Sequence, residues 1–210
     1  MSYSLNEVEA TAKKAARGAG YPWGLAEEAA KATRWLCAHD IDGCAVLARV
    51  LQRFDGKDIA SVCPTEGDGP WQAAGGVLCP IATGAVLSDM ASDLSGDGIA
   101  MAGIAEPLFL LPNAAWAAER TGRPVTLVWP GGQATTDGAA VEMTGSADGV
   151  ATSATIAPGG AVRTPRQVQT RARPDPAAWT EMNRFAHRTY APATEASRLK
   201  GAGAGLSDND

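Results

Sequence analysis

No stretch of the sequence approaches the ~20 consecutive apolar residues of a membrane-spanning helix, so an integral membrane helix is excluded. Histidine is scarce: His39 and His187 are the two in the chain. The four cysteines, Cys37, Cys44, Cys63 and Cys79, form no CxxC pair. The ligand spacing of a structural zinc site is therefore missing, and no metal site is expected. Cys37, His39 and Cys44 make the one local cluster, and Cys37 falls within an amphipathic helix, where it reads as core. An excess of positive charge is lacking too. The net charge of -5 argues against a general nucleic-acid binder. No internal repeat with a period of about 20–50 residues is present, which excludes a solenoid. Met1 to Asn6 carry no basic segment ahead of an apolar one, so no signal peptide is expected. A cytosolic chain would keep these thiols reduced.

What is present is an ordinary globular balance, with 45% hydrophobic and 20% charged residues. A chain of 210 residues can bury roughly 70% of its unfolded surface without a metal or disulfide. A single domain over residues 1–210 is expected.

Charge is unevenly distributed. Residues 1–60 carry eight basic and eight acidic side chains, residues 61–160 two basic and ten acidic, and residues 161–210 eight basic and five acidic. Two uses are open: an anionic ligand at the basic end, or docking of that end on an acidic surface within or between chains.

The chain starts with helical periodicity. Ser4 and Glu7 fit a capping box, in which the hydroxyl accepts a terminal N–H. Leu5, Val8, Ala12 and Ala15 then share a face, and Gly18 and Gly20 end the helix. A second helix follows Gly24 with Leu25, Ala29, Ala32 and Leu36 as its buried stripe, and Glu27 and Glu28 in its first turn. After the Asp42-Gly43 turn, Val46, Leu47, Val50, Leu51 and Phe54 mark a third. Residues 4–54 are thus a three-helix unit.

Residues 60–173 read as mostly β. Short apolar runs at Val77–Ile81, Ile99–Gly103 and Leu108–Leu111 are strand candidates. Pro112 opens a helix that continues to Arg120. Val125–Trp129 reads as a buried strand, and Ala140–Thr144, Val150–Ile156 and Arg166–Arg173 as an antiparallel meander. Asp175-Pro176 then opens a clean helix with Trp179, Met182, Phe185 and Ala186 on its apolar face. A glycine-rich tail completes residues 175–210. The fold class expected is α+β: an N-terminal three-helix unit, a mostly antiparallel sheet in the middle and a C-terminal helix.

The densest polar constellation is His187, Arg188, Thr189, Tyr190, Glu195, Ser197 and Arg198. Histidine carries protons near neutral pH, and arginine presents a planar fork to carboxylate or phosphate. Tyr190 would donate a hydrogen bond to a developing oxyanion, and Glu195 would orient the histidine. The alternative is structural, since a helix C-terminus favours His and Arg. Gly201, Gly203 and Gly205 would form either a backbone nest around an anion or a flexible end, and too little chain follows them for a dinucleotide-binding helix. Trp23, with Arg17 nearby, would cap a pocket by stacking or fix the angle between two helices. Cys79, with the same local form as Cys63-Pro64, is a nucleophile candidate with His187 as base, or is simply buried.

The run Ala15-Ala16-Arg17-Gly18-Ala19-Gly20-Tyr21-Pro22-Trp23-Gly24-Leu25-Ala26-Glu27-Glu28 resembles the opening of an uncharacterised bacterial family of about this length. The closing stretch from Arg188-Thr189-Tyr190-Ala191-Pro192 to Asp208-Asn209-Asp210 resembles that family's ending. The resemblance implies a bacterial cytosolic protein and carries no reaction with it. Residues 5–60, with Ala26-Glu27-Glu28-Ala29 and Asp40-Ile41-Asp42-Gly43, are also similar to the helical opening of non-Rossmann malate/lactate dehydrogenases. There a Ser-His-Gly follows the glycine, whereas Cys44-Ala45-Val46-Leu47 stands here.

These observations lead to two expectations. One is an enzyme acting on a small anionic metabolite, with His187, Tyr190 and Glu195 in catalysis. Arg17, Trp23, Arg188, Ser197, Arg198, Gly201, Gly203 and Gly205 would bind the ligand. The other is a non-catalytic accessory subunit docking on a protein partner through its basic C-terminal region, with a homodimer as a variant of it. Neither a nucleic acid nor a membrane is an expected partner, and the sequence names no cofactor.

Overall fold

The computed structural model describes residues 1–190 except Glu66, Asp68, Ser95 and Asp148. The chain is an α+β protein. It opens with a two-residue strand, β1 (Tyr3–Ser4), and three helices: α1 (Leu5–Gly18), α2 (Trp23–Ala38) and α3 (Gly43–Phe54). The Ser4 hydroxyl accepts the Glu7 N–H at 3.1 Å and starts α1. Val8, Ala12, Ala15 and Ala16 of α1 are buried, facing Ala26, Ala29, Ala30 and Leu36 of α2. The small alanines let the two helices approach closely, and burying this face is what holds short helices in water. Helix α2 begins at Trp23, two residues earlier than its sequence suggests. Glu27 and Glu28 therefore lie in its second turn, and Glu27 pairs with Lys13 of α1 at 2.6 Å.

Asp42 starts α3 by accepting the Ala45 N–H at 3.0 Å on one carboxylate oxygen. Its other oxygen accepts the Asp175 N–H at 2.8 Å. Asp175 in turn caps the last helix, α6 (Pro176–His187), by accepting from Ala177 and Ala178 at 2.9 and 3.0 Å. The two caps in series bring α6 back onto the first three helices. Met182, Phe185 and Ala186 are buried there. At Gly18 an added Cβ would stand 1.8 Å from the Phe185 carbonyl oxygen, so the α1–α6 contact requires glycine.

The remaining elements form a five-stranded antiparallel sheet in the order β2 (Ile99–Ala105), β6 (Val150–Pro158), β3 (Val125–Trp129), β4 (Gly132–Thr136) and β5 (Val141–Gly145). Helices α4 (Pro80–Asp89) and α5 (Leu111–Thr121) lie between it and the helical unit, with α5 against β3 and β4 and α4 against α2 and α5. A second, two-stranded sheet pairs β1 with β7 (Arg171–Ala172).

Three strand expectations are corrected. Val77–Ile81 is not a strand: Leu78 makes one isolated bridge to Ile104, and Pro80 begins α4 with Cys79 at its N-cap. Short apolar runs do not distinguish a strand from a buried helix, and the proline marked a helix start. Leu108–Leu111 is a 3-10 turn over Pro107–Leu110 that runs into α5. Of Arg166–Arg173, Arg171–Ala172 alone is paired as a strand. The rest crosses the end of α2, where the Arg166 guanidinium donates to the His39 carbonyl at 2.9 Å and the Gln169 N–H to the Ala38 carbonyl at 2.7 Å. Helix C-terminal carbonyls have no partner within their own helix, and this segment supplies one. Strand β4, rich in Gly, Ala and Thr, is an addition its sequence did not suggest. No helix among the described residues is long and apolar enough to cross a membrane.

Candidate functional site

Ala10, Lys13, Lys14 and Arg17 recur three and four residues apart, so α1 presents them on one face, away from its alanine stripe. Trp23, the first residue of α2, stands beside Lys13 and Arg17 of that face and is 63% exposed. Tyr190, just after α6, stands beside Lys14, and Arg188 and Thr189 precede it. Together they line a cleft of about 710 Å³. The close α1–α6 approach at Gly18 sets the walls of this cleft.

Cations and rings alternate around it. The Arg17 guanidinium lies 4.6 Å from the Trp23 ring centroid and donates to the Tyr21 carbonyl at 2.6 Å. Lys13 Nζ sits 5.3 Å from the same ring, and Lys14 Nζ 5.6 Å from the Tyr190 ring. Two of the four cations are already paired. Lys13 holds Glu27, and Arg188 forms a two-pronged bond with Asp55 at 2.7 and 2.9 Å. Each pairing pulls the carboxyl below its usual range, through the Lys13 and Arg188 hydrogen bonds respectively. Lys14 and Arg17 have no carboxylate partner among the described residues. They are the charges free to meet an anion.

The structure thus brings Arg17, Trp23, Arg188 and Tyr190 around one cleft. His187 is exposed beside it, its ring edge-on to Tyr190 with centroids 5.1 Å apart. Glu195, Ser197, Arg198, Gly201, Gly203 and Gly205 lie outside the described residues. The Arg188 fork is committed to Asp55, which limits it as an anion clamp. Lys13 and Lys14 were not singled out in the sequence, although their spacing with Arg17 on the face opposite Val8 and Ala12 is the signal that finds them.

Other candidates have different surroundings. Cys79 is fully buried with its sulfur 3.2 Å from the Tyr21 hydroxyl, and burial pushes its thiol up. His187 stands exposed at the end of α6 and does not reach it as a base. His39 stacks on Trp35 at 3.8 Å and bonds to the Trp35 carbonyl at 2.8 Å, a core arrangement. No group of three or more His, Cys, Asp or Glu side chains among the described residues could hold a metal ion. Among the described residues, four arginines of the basic C-terminal region bond within the chain. Arg166 bonds to the end of α2, Arg171 to Ser2, Arg184 to Glu181 and Arg188 to Asp55.

A family model described as "Protein of unknown function (DUF3726)" matches residues 3–79. The match covers β1 to α3 and the segment up to Cys79, so it includes the α1 and α2 walls of the cleft. It agrees with the resemblance to an uncharacterised family. No curated protein and no solved structure matches the chain.

Proposed function

We propose that the protein binds a small anionic metabolite in the cleft between α1, the start of α2 and the end of α6. The anionic group lies against Lys14 and Arg17, and a planar or apolar part of the ligand lies on Trp23 and Tyr190. The observation that carries this reading is the joining of two unpaired cations with two exposed aromatic rings around one cavity of about 710 Å³. Exposed tryptophan is costly in water, and a site with a ring on one side and donors on the other is how small ligands are oriented. His187, beside Tyr190, would serve as the acid or base toward a bound ligand. That would make the protein an enzyme rather than a binder.

Docking of an accessory subunit through the basic region is the weaker reading, because four of its arginines already bond within the chain. The test is a thermal-shift and calorimetric screen of the full chain against inorganic phosphate, nucleotides, aromatic carboxylates and dicarboxylates. One class should raise the melting temperature, as expected when ligand binds the folded state alone. Lys14→Ala with Arg17→Ala should weaken that ligand at least about tenfold, the loss of two charge-assisted contacts. Binding that survives both substitutions, or no binding in any class, overturns the reading.

A further inference from the structure

The junction of α2 and α3 holds a second site, away from the cleft. Cys37 is the next-to-last residue of α2 and Cys44 the second residue of α3. The four-residue turn between the helices folds back so that the two sulfurs lie 4.0 Å apart, both within the buried core. A disulfide needs about 2.05 Å between sulfurs and Cβ atoms about 3.5–4.5 Å apart. The two sulfurs, in contact across the helix junction, need to close by about 2 Å to form that bond. Gly43 makes room for this: a Cβ there would meet the Thr33 carbonyl oxygen at 2.5 Å and Leu36 Cβ at 2.9 Å, and would lie 3.3 Å from Cys37 Sγ.

The two thiols are not equivalent. The hydrogen-bond contact with Cys44 and the first N–H groups of α3, on Gly43 and Cys44, favour the Cys37 thiolate, so Cys37 lies below the usual thiol range. The same hydrogen bond and burial push the Cys44 thiol up. Asp42 opposes the Cys37 thiolate with its charge, but its carboxylate is already bonded to the Ala45 and Asp175 N–H groups. From the other packed segment, Arg171 and Arg173 face the same space. Cys37 also has a way in for a small reagent. With Asp40, Ile41, Gln167, Gln169 and Arg171 it lines a cavity of about 390 Å³. Cys44 is fully buried.

We propose that Cys37 and Cys44 are a peroxide-reactive dithiol, in which Cys37 is the attacking sulfur and Cys44 the resolving one. The Cys37 thiolate attacks one oxygen of hydrogen peroxide. The O–O bond breaks, a sulfenic acid forms on Cys37, and the departing hydroxide takes a proton to leave as water. The Cys44 sulfur then attacks Cys37, displaces the hydroxyl as a second water and closes the disulfide. Two thiols and one peroxide give one disulfide and two waters, and the two electrons lost by sulfur reduce the O–O bond. A dithiol reductant reverses the cycle. Cys63 and Cys79 are not equipped for this, since burial pushes both thiols up and the Tyr21 hydroxyl engages Cys79.

The experiment treats the folded full chain with stoichiometric hydrogen peroxide, quenches and alkylates under denaturing conditions, and maps peptides by mass spectrometry. The expected result is a linked peptide joining residues 37 and 44, alkylation of Cys63 and Cys79, and recovery of four free thiols with dithiothreitol. Cys44→Ser should stop the cycle at a Cys37 sulfenic acid that dimedone traps, and Cys37→Ser should leave Cys44 reduced. Oxidation of Cys63 or Cys79 ahead of Cys37 overturns the proposal, as does a Cys37–Cys44 pair still free after excess peroxide. The wild-type map decides this by itself if a serine variant fails to fold.

Discussion

Arg49 of α3 and Glu106 after β2 meet through both guanidinium edges, Nε to Oε1 at 3.0 Å and Nη2 to Oε2 at 2.7 Å. The Glu106 side chain is 2% exposed. Its backbone sits in the left-handed region at φ 44°, a conformation that costs a non-glycine residue energy. The carboxylate also accepts the Gly149 N–H at 2.8 Å, so one side chain ties the helical unit to β2 and to the turn before β6. Glu106→Gln keeps an acceptor for Gly149 but removes the charge. Because Arg49 is partly exposed, the cost falls below that of a wholly buried pair, at about 2 kcal/mol. Urea unfolding should show the midpoint drop with an unchanged slope. A midpoint that does not move would mean that the pair adds nothing net to stability.

Gly18 and Gly24 make a matched pair of tests. Gly18→Ala drives a methyl group into the Phe185 carbonyl and should cost about 2 kcal/mol or more, the range for overpacking. Gly24 lies in the first turn of α2 with nothing within 4 Å of an added Cβ. Gly24→Ala should stabilise by about 0.5 kcal/mol through helix propensity. Thermal melts of the two variants should therefore move in opposite directions. Equal melting temperatures would contradict the close α1–α6 approach.

Acid should unpick a defined set of contacts. Arg188 holds the Asp55 carboxyl below its ordinary range, and the N–H groups of Thr164 and Arg163 do the same for Glu142. A carboxyl whose pKa is lowered by folding stabilises the protein above its unfolded value of about 4, and that stability is lost as the pH falls through the lowered folded value. Asp55→Asn should lower the melting temperature at pH 7, and the gap from wild type should shrink as the pH drops below about 4. A gap that persists undiminished in acid would point to packing rather than charge. The same variant frees the Arg188 fork beside the cleft, so a ligand found by screening should bind it more tightly than wild type.

Trp23 separates binding from folding. At 63% exposure, Trp23→Ala should change stability within about 0.5 kcal/mol, as for surface substitutions. It should nonetheless weaken the cleft ligand measurably, because it removes the ring that Arg17 lies on. A large stability loss would make Trp23 a packing residue and take it out of the site.

Much of the helical half was legible because its signals are local. Ser4 and Asp175 cap the helices they precede, the Asp42-Gly43 turn separates α2 from α3, and the three-and-four spacing of Val46, Leu47, Val50 and Leu51 names the buried face of α3. The β half was less so. Val77–Ile81 and Leu108–Leu111 are apolar runs without a period, and the context that makes them helix or turn lies in distant partners. The candidate site divides in the same way. Arg17, Trp23, Arg188 and Tyr190 are visible as residue types, but nothing local says that positions 17 and 188 share a wall.

The sequence by itself determined the α+β class, the three opening helices, the helix from Pro176, and the absence of any helix fit to cross a membrane among the described residues. Caps, periods and composition act over a few residues, so they can be read in order along the chain. The tertiary structure alone decided that α6 returns to α1, that Asp55 holds Arg188, and that Cys37 and Cys44 touch. Those contacts depend on which buried faces fit each other across long stretches of chain, and that choice is made by packing in three dimensions.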